Sequence, residues 1–209
     1  MNEPITERVQ RPAGPPADRV VVAVTVGAPA DAVWHALRDV ASLHRWHGWD
    51  YPDLDAEIEQ IYHGDATVAD EDDRTLETGA GRFELTETTA GTRVRVLRSG
   101  EAEGYDEIDE GWTTFVHQLR FYLERHLGQH RRTVRVEGAS PPDVEREVWF
   151  ESAHQRGLAV PEWGDALMVV STPPEGSGSI LVSGYDLDDA SWREIEESVG
   201  QEGDQSGSR

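Results

Sequence analysis

The chain has 209 residues and is strongly acidic: 41 Asp and Glu stand against 19 Arg and no Lys, which gives a formal net charge of −22. Such a charge repels phosphate backbones and anionic lipids, so we expect no nucleic acid and no membrane among its partners. The absence of cysteine excludes disulfides, thiolate metal sites and a cysteine nucleophile, and the absence of lysine excludes Schiff-base chemistry on a side-chain amine.

Both ends of the chain are predicted to be disordered. Residues 1–18 are rich in proline, and residues 200–209 consist mainly of glycine and polar residues. Between them, a β-branched run predicts a first strand, and Pro29 suits the start of a helix with an apolar stripe. The strand and the two short helices predicted here cover 19–26, 30–38 and 39–46.

A strand-rich stretch follows these helices. Phe83 and Leu85 alternate with polar residues, and Val94 and Val96 do the same beyond a turn that contains glycine. This pattern is typical of a hairpin with one polar face, so it predicts an antiparallel sheet that is covered on one side only. The predicted strands cover 56–62, 74–77, 81–87 and 92–98.

The clearest element is a long amphipathic helix over 108–127, in which apolar residues recur at i, i+3 and i+4 positions. Asp106 and Glu107 lie at its start, Arg125 lies in its last turn, and Gly128 ends it. These charges and the terminal glycine match the helix dipole. The helix needs an apolar surface to pack on, and the inward face of the sheet supplies one.

Residues 128–199 are predicted to form a C-terminal α/β extension. Residues 132–141 loosely echo the first strand and the Ala-Pro break after it, and residues 183–186 echo the passage before the long helix. Two interpretations stay open: a degenerate second copy of the first domain, or an extension that packs on it. The predicted elements are strands over 133–137, 166–171 and 179–185 and helices over 142–152 and 189–199.

Three stretches resemble the START-like (SRPBCC) superfamily and, within it, the group related to the activator of Hsp90 ATPase. Residues 24–37 resemble its opening strand, Ala-Pro break and Val-Trp helix, residues 43–51 its tryptophan-bearing second helix exit, and residues 110–119 the Gly-Trp start of its C-terminal helix. The resemblance implies an α+β helix-grip (START/Bet v 1-like) domain over 19–127, with an antiparallel sheet wrapped on the long helix around a cavity. Members of the superfamily bind lipids, polyketides, hormones or other apolar molecules, and some are enzymes or bind a chaperone.

No recognised catalytic or metal-binding motif is present. His44 and His47 are three residues apart, and His126 and His130 four apart, but neither pair has a third ligand nearby, so solvated or capping histidines are favoured. The acidic run 50–59 is interpreted as a solvated face, although a carboxylate that leans into an apolar cavity could act as a general acid or base. We therefore predict no metal, no cofactor and no catalytic residue.

Aromatic and apolar residues of the predicted sheet and long helix are the candidates for a ligand site. Core packing explains most of them, yet a cavity lined by aromatic rings with a few polar groups is also typical of small-molecule sites. The predicted ligand-binding residues are Trp46, Trp49, Tyr51, Phe83, Leu85, Val94, Val96, Trp112, Phe115, Val116 and Leu119.

These observations favour a protein that binds a small hydrophobic molecule between the sheet and the long helix. No apolar run approaches the roughly 18 residues of a membrane span, and no signal-peptide pattern is seen, so a cytoplasmic location is expected. Arginine without lysine is typical of a high-GC bacterial genome or a salt-adapted organism. Two alternatives stay open: a module that binds a chaperone or another protein, including a second copy of itself, and a cyclase- or hydrolase-like enzyme.

Overall fold

A computed structural model describes residues 17–101 and 104–200. Within them the fold is α+β, as predicted, with two five-stranded antiparallel sheets and one long helix. The ends predicted to be disordered fall mostly outside the described residues, but Asp18 already belongs to the first strand and Gly200 to the last helix. None of the helices in these ranges is long and apolar enough to cross a membrane.

The first half of the chain forms one sheet and the long helix. Its strands are β1 Asp18–Val26, β2 Val68–Asp70, β3 Thr75–Thr78, β4 Gly81–Thr88 and β5 Gly91–Ser99. Three short helices lie between β1 and β2, and the last continues into a π-helical turn over Glu59–His63. The helices are α1 Ala30–Arg38, α2 Val40–Leu43, α3 Leu54–Ile58 and, after the sheet, α4 Glu107–Arg125.

The second half forms the other sheet and a final helix. Its strands are β6 Arg131–Glu137, β7 Glu147–Glu151, β8 Gln155–Val160, β9 Ala166–Ser171 and β10 Ser179–Tyr185. A short 3₁₀ turn over Pro161–Trp163 joins β8 to β9, and helix α5 covers Asp189–Gly200.

The two sheets share one topology. Their strand orders are β1-β5-β4-β3-β2 and β6-β10-β9-β8-β7, and each sheet is followed by a helix. An aspartate caps both helices, since Asp106 accepts from two backbone amides of α4 and Asp188 from two of α5. The helical segment between β1 and β2 has no counterpart between β6 and β7. The repeated topology is a feature of the structure, whereas an origin by duplication and a division into separate domains stay predictions.

Helix α4 lies between the two sheets. On one side the ring of Trp112 meets Phe83 of the first sheet, with centroids 5.2 Å apart. On the other side Thr114 donates a hydrogen bond to Gln155 in β8, at 2.9 Å. One buried apolar cluster accordingly contains residues of both sheets and of the helix.

The outer faces of the two sheets differ. Helix α5 covers the second sheet, with Trp192 and Ile195 packed in a cluster that includes Met168 and Val182. The first sheet carries paired charges on its outer face, where Arg95 binds Glu84 across β5 and β4. One-sided covering, as predicted, therefore describes the first sheet, while the second is buried on both faces.

Two predicted elements are wrong. The segment 56–62, predicted as a strand, is helical, because Leu54, Ile58 and Tyr62 lie four residues apart and bury one face of α3 and its π-helical turn. The segment predicted as a helix over 142–152 is irregular up to residue 146 and then forms strand β7, which pairs with β8. Strands β2 and β8 were not predicted, and α2 ends at Leu43 rather than at residue 46.

Candidate functional site

A cavity of about 550 Å³ lies between the N-terminal half of α4 and the inner face of the second sheet. Helix α4 forms one wall, strands β9 and β10 form the opposite wall, and the segment around α3 closes one side. Its volume is in the range that holds small-molecule ligands in other proteins. The walls include Trp49, Glu57, Trp112, Phe115, Val169 and Leu181.

Three aromatic rings form the apolar side of this cavity. The centroid of Phe115 lies 6.0 Å from that of Trp112 and 6.4 Å from that of Trp49. The guanidinium of Arg135 in β6 lies over the Trp49 ring, 4.7 Å from its centroid. These rings supply apolar faces that also attract positive charge.

The loop that carries Trp49 is fastened to the second sheet. The backbone amide of Asp50 donates to the Thr133 hydroxyl at 2.5 Å, and the backbone amide of Thr133 donates to the Asp50 carboxylate at 2.7 Å. Gly48, just before Trp49, has φ +63°, a left-handed conformation that glycine adopts without strain. This reciprocal pair therefore fixes one side of the cavity against β6.

A chain of polar groups runs from the core to the cavity wall at Glu57. His47 is fully buried, which lowers its pKa, so its ring is neutral. Its Nε2 lies 3.4 Å from the Glu57 carboxylate, and its Nδ1 lies 3.0 Å from the Tyr62 hydroxyl. Since a carboxylate only accepts, Nε2 carries the proton and Nδ1 accepts from Tyr62.

Glu57 is held as an anion. The hydrogen bond from His47 lowers the pKa of Glu57; partial burial opposes this, and a short hydrogen bond from the Tyr51 hydroxyl adds to the lowering. The carboxylate thus reaches the cavity wall with both oxygens already bonded to protein groups. It can accept a proton from a bound molecule or orient a hydrogen-bond donor.

Glu110 is the second carboxylate of the cavity wall, and its surroundings differ. Its Oε2 is buried and has no hydrogen-bond partner among the described residues. Burial raises the pKa of Glu110, and neighbouring Asp109 adds to the increase, although His154 acts against it. The backbone here is fixed, because the Gln155 side-chain amide donates to the Glu110 carbonyl at 2.8 Å.

The rim of the cavity is acidic. Glu107, Glu137 and Glu175 are exposed residues that line it. The one arginine in the lining, Arg135, is bound to Glu137 at 2.5 Å. Over the residues that the structure describes, no group of three or more His, Asp or Glu converges closely enough to hold a metal ion.

Comparisons with known proteins give little further information. No family model matches the sequence, and no curated protein is significantly similar to it. Among solved structures, the crystal structure of DynU16, a protein of the dynemicin biosynthetic locus, is similar at 17% identity; the match covers 85% of this chain and 91% of that chain, with a TM-score of 0.35. Membership of the START-like superfamily and of its Hsp90-activator group therefore stays a prediction.

Four of the residues predicted to bind a ligand lie at or beside this cavity. Trp49, Trp112 and Phe115 line it, and Tyr51 stands behind it, against the Trp49 ring and the Glu57 carboxylate. The others lie on the far side of α4, buried between the helix and the first sheet, and their contact with a ligand stays a prediction. They are Trp46, Phe83, Leu85, Val94, Val96, Val116 and Leu119.

The space expected between the first sheet and α4 is occupied by side chains. Trp46 is fully buried there and donates from Nε1 to the Ala36 carbonyl at 2.8 Å. Tyr62 packs on Phe83, with ring centroids 6.1 Å apart. The short helices thus fill this side of α4, and the described cavity lies on the opposite side.

Several residues of the cavity were not predicted from the sequence. His47 is buried and caps no helix, so its interpretation as a solvated or capping residue is wrong, whereas His126 is buried but lies at the C-cap of α4, as a capping residue. The acidic run was predicted to be a solvated face. This is wrong for Glu57, which is only partly exposed, whereas Asp53 and Asp55 are exposed as expected. The residues contributed by β6, β9 and β10 were not considered because 128–199 was treated as lying outside the ligand-binding domain.

Proposed function

We propose that this protein binds a small, largely apolar molecule in the cavity between α4 and the second sheet. The observation that carries the proposal is the cavity itself, with its three aromatic rings and the apolar side chains of Val169 and Leu181 in the wall and charged residues at the rim. This composition is typical of small-molecule sites. The cytoplasm remains the proposed location of the protein, and a chaperone or other protein partner remains an alternative.

Gly111 supports the proposal independently. A glycine inside a helix costs about 0.5–1 kcal/mol relative to alanine, so its presence in α4 calls for a reason. A Cβ at this position would meet no atom outside α4 within 4 Å, and its nearest contact would be Phe115 at 3.8 Å. Open cavity space therefore lies in front of Gly111, and a side chain there would occupy it.

The test compares two substitutions at this position. Gly111→Ala adds a single methyl group and favours the helix, whereas Gly111→Leu fills the cavity with an isobutyl group. We expect native mass spectrometry, before and after organic extraction, to show a small molecule on the wild type and on Gly111→Ala but not on Gly111→Leu. Melting temperatures of the three proteins control for folding.

If no molecule is retained through purification, a neutral solvatochromic dye provides the same comparison. The proposal predicts a blue-shifted emission with the wild type and with Gly111→Ala, and its loss with Gly111→Leu. Equal dye binding or equal ligand content in all three proteins would show that the molecule sits elsewhere, and no binding by any of them would also contradict the proposal.

A second candidate function is acid–base catalysis on the bound molecule. It is favoured by the two carboxylates of the wall, because the pKa of Glu57 is lowered and that of Glu110 is raised. Two carboxyl groups whose environments separate their pKa values can serve as base and acid on one ligand. In this function Glu57 takes a proton from the ligand, and His47 with Tyr62 positions it.

The small molecules extracted from the wild type and from Glu57→Gln test this candidate. The amide keeps the shape of the side chain but cannot accept a proton as a base. An enzyme would leave a product on the wild type and an unreacted precursor, distinguishable by mass or elution, on Glu57→Gln. The same molecule on both proteins would argue for binding without catalysis.

A further inference from the structure

We propose that Ser171 and Ser179 bind an uncharged carbonyl oxygen of the ligand at the mouth of this cavity, while the apolar part of the ligand lies deeper inside. The inference rests on the proposed function, since it names the chemical class of the molecule that the same cavity holds. Three observations carry it: the register of the second sheet, the two hydroxyl groups that this register places side by side, and the pairing of the polar groups on either side of them.

The first observation is the register of β9 and β10. Ser179 pairs with Ser171 across the two strands, and two residues further along, Leu181 pairs with Val169. Residues two apart in a strand point to the same face of a sheet. Leu181 and Val169 belong to the buried cluster between the sheets, whereas the residues between the two pairs pack on the outer side with α5. Both serines therefore face the cavity, which all four residues line.

These two pairs give the floor of the cavity a polar end and an apolar end. The loop that joins β9 to β10 follows Ser171 and precedes Ser179, and its exposed residue Glu175 lies at the rim. The serine pair is thus next to the rim, and the pair of Leu181 and Val169 is one step deeper. A ligand that buries its apolar part against the deeper pair presents its other end to the serines.

The second observation is the state of the two hydroxyl groups. Side chains directly opposite each other on antiparallel strands have Cβ atoms about 4.5–5.5 Å apart, so both hydroxyls can reach one ligand atom. Ser179 is buried and Ser171 half-buried. Among the residues that the structure describes, neither hydroxyl has a hydrogen-bond partner, and neither oxygen is shut off from solvent. Two O–H donors placed in this way match the two lone pairs of one carbonyl oxygen.

The third observation is the pairing of the neighbouring polar groups. Gln155 in β8 lies opposite Ser171, and Glu137 in β6 lies opposite Ser179, so the four side chains form one row across the sheet. Both ends of the row are occupied, because the Gln155 amide is hydrogen-bonded to α4 through its oxygen and its nitrogen, and Glu137 binds Arg135. The serine hydroxyls are left for a ligand. They carry no charge, and Arg135 is already neutralised, so the row favours an uncharged group over a carboxylate.

Three naphthalene probes of similar shape test the proposal: acetylnaphthalene, isopropenylnaphthalene and naphthoate. The first is a ketone, the second is the hydrocarbon in which a CH₂ group replaces the carbonyl oxygen, and the third is an anion at neutral pH. Their affinities are measured by tryptophan fluorescence. We expect naphthoate to bind the wild type most weakly, because its charge would be buried without a partner.

Removal of both hydroxyls locates the interaction. The double substitution Ser171→Ala and Ser179→Ala should weaken binding of the ketone about tenfold, since its carbonyl loses both donors, and leave binding of the hydrocarbon unchanged. Comparing the two probes on one variant cancels their different hydrophobicity. Ser198→Ala, in α5 on the outer side of the second sheet, is the matched control and should alter neither affinity. Melting temperatures control for folding.

Infrared spectroscopy of the bound ketone gives an independent readout. A hydrogen bond lowers the stretching frequency of a carbonyl group. The band of isotope-labelled acetylnaphthalene should therefore lie at a lower frequency on the wild type and on Ser198→Ala than on the double variant. An identical band on all three proteins would show that the serines do not contact the oxygen, which would overturn the inference.

The outcomes separate this inference from the proposed function. If the double variant binds the ketone as tightly as the wild type does, or loses affinity for the ketone and the hydrocarbon equally, the cavity binds ligands but the serines do not recognise the oxygen, and the inference is wrong. Tighter binding of naphthoate than of the ketone would also contradict it. If no probe binds the wild type, or if binding persists in Gly111→Leu, the proposed function itself fails and the inference fails with it.

Discussion

The fully buried guanidinium of Arg131 donates a hydrogen bond from Nη2 to the backbone carbonyl of His47, at 2.5 Å. Its Nη1 also donates to the carbonyl of Gly48, at 3.2 Å. Arg131 begins strand β6 of the second sheet, whereas His47 and Gly48 precede the loop that carries Trp49. One buried side chain therefore joins the second sheet to the part of the first half that lines the cavity.

Arg131→Lys should lower the free energy of unfolding by about 2–4 kcal/mol, because an ammonium group on a shorter stem leaves a buried carbonyl unpaired. The measurement is chemical denaturation of both proteins. Arg132→Lys is the matched control, since Arg132 pairs with the exposed Asp189. This substitution should change the free energy of unfolding by less than about 1 kcal/mol. Equal effects of the two substitutions would show that the buried hydrogen bonds contribute little.

The stability of the protein should depend on pH through His117. Its ring stacks flat on Phe150 with centroids 3.8 Å apart, and burial lowers its pKa from 6.5 to about 4. Below pH 6.5 the His117 ring is therefore protonated in the unfolded chain but stays neutral in the folded protein until the pH approaches 4. The contribution of neutral His117 to the free energy of unfolding is fully present above pH 6.5 and is lost as the pH decreases towards 4.

The substitution that tests this effect is His117→Phe, which keeps the stack and removes the titrating group. Between pH 7 and pH 5 its free energy of unfolding should fall by about 1–2 kcal/mol less than that of the wild type. His35→Gln is the control, because the His35 side chain is 70% exposed. A slope unchanged in His117→Phe would mean that other groups cause the pH dependence.

Gly157→Ala should destabilise the second sheet. A Cβ at this position in β8 would lie 2.1 Å from a ring carbon of Phe150, which stacks on His117 and has little room to move. Overpacking of this kind costs about 1–3 kcal/mol, which chemical denaturation would detect. Gly79→Ala provides the comparison, since its Cβ would meet only Ala66 at 3.9 Å. Similar stabilities of the two variants would contradict the close packing at β8.

Trp46 and Trp49 should respond differently to substitution, although both were predicted to contact a ligand. Trp46→Phe removes the donor to the buried Ala36 carbonyl and part of the core, so it should cost about 2–4 kcal/mol of stability and leave probe binding intact. Trp49→Phe should change stability little and weaken binding. If Trp46→Phe is fully folded and still binds the probe more weakly than the wild type does, the ligand lies on the first-sheet side of α4.

The sequence by itself determined those elements that local patterns specify. The 3.6-residue period, the acidic start and Gly128 define α4 to within two residues, and the alternation around Phe83 and Val94 defines the hairpin of β4 and β5. These signals involve residues that are close in the chain, so they can be recognised without knowledge of the fold. Trp49, Trp112 and Phe115 were identified for the same reason, as aromatic residues in predicted elements.

Only the tertiary structure decided on which side of α4 the cavity lies. Thr114 and Gln118 are polar, which indicates a solvated helix face, yet both are buried against the second sheet through hydrogen bonds to Gln155 and Ser183. Strand β8 lacks alternation because both faces of its sheet are covered. The position of the cavity depends on pairings between distant residues, such as β6 with β10, and on the short helices that fill the first sheet. No local period encodes such contacts, because burial is set by what packs against a residue and not by the residue's own neighbours in sequence.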